Sequence, residues 1–135
     1  MRKSVFILLS LFLLSSCGKL KGEFAFQTPD DKGYKVNQSR FEFDSTKEIN
    51  WIYKFDSMPG DRINIGVIIL KKELGWIDIL TTSDYIDPMK NIIYGTLKEF
   101  EPGEYKIVLV ETTSEGNKTI DEKEVYIYSD EEVLD

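Results

Sequence analysis

No histidine occurs in this chain, and cysteine occurs once, at position 17. Those absences remove Ser-His-Asp and Cys-His nucleophilic centres, histidine-ligated zinc and any internal disulfide before a motif is sought. No glycine-rich phosphate loop and no Cys-x-x-Cys pair is present. Positive charge is also scarce. Setting aside Arg2 and Lys3 at the amino terminus leaves 15 basic against 24 acidic residues, a net of about −9. The only adjacent basic pair beyond that point, Lys71-Lys72, runs straight into Glu73. Nucleic acid, which needs clustered Lys and Arg, is therefore not an expected partner. An acidic surface favours solubility and basic or cationic partners.

What remains is enough for one folded unit. The chain has 135 residues, 41% of them hydrophobic, 13% aromatic and 30% charged, the length and composition of a single globular domain. Its one long apolar run, Val5 to Leu14, is about ten residues, half the roughly 20 that a spanning helix needs. With Met1-Arg2-Lys3 before it, the run reads as the apolar region of an export signal, excluded from the fold. It ends in Leu14-Ser15-Ser16-Cys17-Gly18, which resembles the lipobox of bacterial lipoproteins. The resemblance implies that residues 1–16 are removed and that Cys17 carries a thioether-linked diacylglycerol and an acylated amino terminus. The sole cysteine stands where that bond is made, and several acyl chains give a lasting anchor where one gives a marginal one. With Gly18 at the second position rather than an aspartate, the resemblance implies sorting to the outer membrane. Gly18 to Lys21 form a tether of about 15 Å at full extension, so the domain is expected close to the bilayer.

From Gly22 onward, short runs of alternating apolar and polar residues are separated by turn residues, a strand pattern. The runs are 23–27, 39–44, 48–56, 62–71, 76–82, 91–97, 104–112 and 122–128. Three show a clear buried face: Ile49, Trp51, Tyr53 and Phe55; Ile63, Ile65, Val67 and Ile69; Tyr105, Ile107 and Leu109. Ile68, Leu70, Val108 and Val110 make the opposite faces apolar too. Met58-Pro59-Gly60-Asp61 and Glu101-Pro102-Gly103-Glu104 read as type II turns, and Ser114-Glu115-Gly116-Asn117 as a hairpin loop. Eight short strands predict an all-β fold, a single antiparallel β-sandwich over residues 22–128, with an acidic tail at 129–135. The segment Leu97 to Ile107, with its Gly103-Glu104-Tyr105, resembles the corner before the penultimate strand of immunoglobulin-like and fibronectin III-like domains. The resemblance implies that Tyr105 forms a tyrosine corner. It also implies that Phe41 or Phe43 fills the second-strand position, Trp51 the core aromatic of the third strand, and Ile107 the place of the second cysteine in antibody domains. A jelly roll or another all-β sandwich stays open.

Candidate site residues follow from loop content. Asp56, Asp61, Asp84 and Asp87 fall in expected loops, where oxygen ligands for calcium would sit, but aspartate also populates turns by bonding its own backbone. Without an Asp-x-Asp-x-Asp-Gly series, no metal or cofactor is expected. The segment Thr81 to Lys90 carries Tyr85, Ile86 and Met89 among polar residues. It is either a recognition surface or a strap tucked under the sandwich edge. Trp76 divides the same way, between core cap and exposed contact. Asp121 to Asp135 holds seven acidic residues against one lysine, a frayed end or a docking tail for a basic partner. Asn37-Gln38-Ser39 and Asn117-Lys118-Thr119 match a glycosylation sequon that the bacterial leader makes irrelevant.

These observations predict a non-catalytic, lipid-anchored envelope protein that binds a protein or glycan partner through loops or edge strands. Trp76, Asp84, Tyr85 and Asp87 are the candidate binding residues and Cys17 the membrane attachment. Two alternatives are an accessory subunit of an envelope assembly, bound by strand addition, and a small carbohydrate-binding module with coplanar exposed aromatics including Trp76.

Overall fold

The computed structural model describes residues 20–36 and 40–129. The leader, Cys17, the tripeptide at 37–39 and the tail past Ser129 lie outside them. The described residues hold eight strands and no helix: β1 (Gly22–Gln27), β2 (Phe41–Asp44), β3 (Ile49–Phe55), β4 (Ile63–Lys72), β5 (Trp76–Ile86), β6 (Ile92–Leu97), β7 (Gly103–Thr113) and β8 (Gly116–Tyr128). Hydrogen bonding sorts them into a three-stranded sheet, β1-β3-β6, and a five-stranded sheet, β2-β8-β7-β4-β5. That order is an immunoglobulin-like Greek-key sandwich.

Period-two alternation places the core. Ile49, Trp51, Tyr53 and Phe55 of β3 face Ile65, Val67 and Ile69 of β4 and Tyr105, Ile107 and Leu109 of β7, and all are buried. Aromatic contacts knit the smaller sheet and tie it to the larger: Phe24 of β1 meets Tyr53 of β3 edge-on at 4.7 Å, and Phe26 of β1 stacks on Phe41 of β2 at 4.3 Å. On the outer face of the larger sheet, Val108 and Val110 are buried and Ile68 and Leu70 half-buried. The central strands are thus apolar on both faces although, among the described residues, no third layer covers them.

Two sequence expectations change. All pairings are antiparallel except one: β2 crosses to the larger sheet and lies parallel to β8, Phe41 opposite Val125 and Asp44 opposite Tyr128. Because β2 leaves the sheet that β1 begins, β3 and not β2 is the second strand of the pattern. Trp51 therefore sits on the second strand, and Ile65, Val67 and Ile69 take the third-strand place assigned to it. The Tyr105 corner has the expected geometry, its hydroxyl donating to the Glu101 carbonyl at 2.6 Å. Of the two expected type II turns, only the second has its glycine in a positive-φ conformation, Gly103 at +155°.

The strands also fix which loops share an end. Gly22 pairs with Phe55, the Asp56 amide donates to the Lys21 carbonyl at 3.0 Å, and the Phe55 amide to the Asn91 carbonyl at 2.9 Å. The chain entry, the β3–β4 loop and the β5–β6 turn therefore lie together, with the β7–β8 tip on the same side. The β4–β5 turn and the β6–β7 loop occupy the opposite end.

Candidate functional site

The strand expected over 76–82 runs on as far as Ile86. β5 pairs with β4 from Lys72 opposite Trp76 to Ile63 opposite Ile86, with one bulge that leaves Ile79 without a partner. The larger sheet has two more strands than the smaller, and β5 is the one that projects past it, so most of its side chains are exposed on both faces. Without a buried face it has no hydrophobic alternation. That is why the strand read from sequence stops at Thr82 and Ser83 to Ile86 read as loop.

The candidate residues do not converge. Trp76 opens β5 and Tyr85 nearly closes it, nine residues apart, which is roughly 30 Å along a strand. They cannot form one coplanar platform. Trp76 is half-buried beneath Lys106, whose Nζ stands 4.4 Å from the ring. The strap reading divides: Ile86 is fully buried and Tyr85 half-buried, whereas Met89 is 90% exposed.

At the far end of β5 a small polar cluster forms. The Tyr85 ring lies between the Arg62 guanidinium at 4.1 Å and the Lys90 Nζ at 4.5 Å. Asp84 accepts from Lys90 Nζ at 2.6 Å and from the Tyr85 amide at 2.8 Å. Asp87 accepts from the Met89 amide at 2.8 Å, closing the turn to Lys90. With Asn64, Ser83 and Thr112, the Arg62–Tyr85 pair lines an open concavity of about 380 Å³. Sequence reasoning missed Arg62 and Lys90. Taking residues 81–86 as strand would have set Tyr85 beside Asn64, and so near Arg62. The two aspartates are occupied by internal partners, and among the described residues no three His, Cys, Asp or Glu side chains gather where they could hold a metal.

The most unusual feature of this region is an unpaired edge. Among the described residues β5 has β4 as its only hydrogen-bonded neighbour. The other edges are short or covered: β2 has four residues, β6 has six, and β1 is bridged by Lys35, which exchanges backbone bonds with Phe26 at 2.9 and 2.7 Å. β5 has eleven residues, no proline and no lysine, and exposes Ile77, Ile79 and Leu80. Natural sheets usually blunt such an edge with Lys, Pro or brevity. The Tyr85 amide donates to its neighbour's carboxylate at 2.8 Å, as an amide on the open side of the strand can. By the two-residue repeat, the amides of Thr81 and Ser83 face the open side as well. Seven residues from Leu80 to Ile86 follow the bulge without interruption.

Elsewhere, burial and the neighbouring Asp121 carboxylate, which accepts the hydroxyl's proton bond at 3.0 Å, push Tyr53 well above the ordinary tyrosine range. Burial lowers Lys123.

No family model matches the chain, and no curated protein matches it. Among solved structures, the soluble domain of PmoD from Methylocystis sp. ATCC 49242 (Rockwell) is similar, with a TM-score of 0.56 and 10% identity over 78% of this chain and 89% of that one. A β-glucosidase from Listeria innocua is 15% identical over 79% of this chain. The alignment spans 17% of that enzyme at a TM-score of 0.32. At 10% identity the likeness to the PmoD domain shows the fold alone: this chain is a β-sandwich.

Proposed function

We propose that this protein is a non-catalytic, lipid-anchored envelope protein, sorted to the outer membrane, that binds a partner protein by strand addition along β5. The observation that carries the reading is the eleven-residue open edge with its exposed apolar side chains. Such an edge offers main-chain bonds for affinity and alternate side chains for specificity. The charges on β5, Asp78 and Asp84, are both acidic, so an extended segment alternating apolar and basic residues complements it. Antiparallel pairing of two copies over the full strand would set Asp78 of one against Asp84 of the other, which disfavours self-association. The separation of Trp76 from Tyr85 weighs against the glycan-binding alternative. The anchor rests on the lipobox resemblance of Leu14 to Cys17.

The test is a photo-crosslinking residue at Leu80 in cells, with and without Ser83→Pro. Proline at Ser83 deletes an outward amide while leaving the bonds to β4 in place. Strand addition predicts one adduct, attached to an extended segment of the partner and lost in the proline variant. A crosslink that survives Ser83→Pro would refute it.

A further inference from the structure

We infer that the end of the sandwich where the chain enters docks on the phospholipid surface, with Met58 and Met89 as the residues that enter the headgroup layer. The inference rests on the proposed acylation of Cys17 and goes beyond it by assigning a membrane-facing surface to the folded domain.

The structure shortens the tether. Leu20 is packed against the core and the Lys21 carbonyl is held by the Asp56 amide, so the chain is held to the sandwich from Leu20 onward. Only Gly18 and Lys19 lie between Cys17 and Leu20, three Cα steps that reach at most about 11 Å. The headgroup layer on each side of a bilayer is itself roughly 5–8 Å thick. Little length is left for a gap between lipid and protein.

The loops around the entry are suited to that contact. Bonds from Asp56 to Lys21 and from Phe55 to Asn91 tie the β3–β4 loop and the β5–β6 turn to the entering strand. Each carries an exposed methionine beside a proline: Met58 is 51% exposed and Met89 90%. Methionine is unbranched and adaptable, and it suits an irregular apolar contact. The protein is strongly acidic as a whole, yet around these tips Lys21, Arg62 and Lys90 offset all but one of the charges of Asp56, Asp61, Asp84 and Asp87. Docking is thus driven by tethering and apolar contact, and it needs no anionic lipid. Leu74, fully exposed at the tip of the β4–β5 turn, marks the opposite end and faces away.

The experiment uses the full acylated protein in phosphatidylcholine vesicles with and without brominated acyl chains. Cys17 is the chain's sole cysteine, so once it is lipidated, Met58→Cys, Met89→Cys and Leu74→Cys each supply one thiol for an environment-sensitive fluorophore. Mass spectrometry of the amino-terminal peptide first reads the acyl groups, and an unmodified Cys17 would overturn anchoring and docking together. With Cys17 acylated, docking predicts quenching at positions 58 and 89 at least threefold that at 74, unchanged by added phosphatidylglycerol. Equal quenching at all three positions, or none at 58 and 89, would overturn docking while leaving the anchor intact.

Discussion

Gly95→Ala tests how tightly the smaller sheet is packed. Gly95 on β6 is the register partner of Trp51 on β3, and the indole lies flat across it. A Cβ built on Gly95 would overlap Cε2, Nε1 and Cζ2 of that ring. Trp51 is 2% exposed and tilted against Phe24 at 6.1 Å between centroids, so the ring has no open space to turn into. Overpacking a filled core in this way costs about 1–3 kcal/mol. In a domain of this size each kcal/mol lowers the melting temperature by about 4 °C. The assay is thermal and urea unfolding of Gly95→Ala, Trp51→Leu and the double variant. Once the indole is gone the added methyl has nothing to strike. The double variant should therefore be more stable than the sum of the two losses, by about 1 kcal/mol or more. If Gly95→Ala leaves the melting curve unchanged, or the two losses simply add, the indole is not seated on Gly95 as described.

Four further outcomes follow from other parts of the molecule. Cys17→Ala should move the protein from the detergent to the aqueous phase in a phase-separation assay, and retention in detergent would count against acylation. Gly103→Val should destabilise by about 1–3 kcal/mol because the backbone there is at +155°; an unchanged denaturation midpoint would contradict this. Tyr105→Phe should lose about 1 kcal/mol, the worth of the bond to Glu101, and a loss below about a third of that in urea titration would show that the corner is decorative. Tyr53 has its folded-state pKa raised, so its contribution is full below the pKa of unfolded tyrosine and declines as pH rises through the alkaline range toward the folded value. Absorbance at 295 nm should show the buried tyrosines, Tyr53 and Tyr105, ionising only as the protein unfolds in alkali, and Tyr53→Phe should shrink that step by one tyrosine.

The eight strands were legible because seven of them bury one face, and burial writes itself into sequence as alternation: Ile49, Trp51, Tyr53 and Phe55 could hardly be read otherwise. The turn before Tyr105 was legible because its glycine is demanded locally. The last part of β5, from Ser83, was not, since the residues from Ile77 to Ser83 are exposed and no hydrophobic alternation leads into it. The first part of β8, Gly116 to Asp121, escaped for the same reason. The placement of β2 was hidden by a different cause. Phe41 and Phe43 alternate equally well in either sheet, and only long-range pairing with β8 decides between them. The candidate site suffered from both effects, because what distinguishes the β5 edge is the absence of a neighbour among the described residues, and one sequence does not state which strands lie next to which.

The pairing of β1 with β3 has a mechanical meaning for an anchored protein. The six register pairs from Gly22–Phe55 to Gln27–Asn50 run antiparallel, with the chain entering at the Gly22 end. A pull from the lipid anchor would act along the axis of β1 and load those pairs together, in shear, where peeling would break them one at a time. A partner added along β5 would be held in the same orientation, its bonds also crosswise to the pull. Tension between membrane and partner would then pass through the sandwich along its strands, the direction in which a sheet yields last.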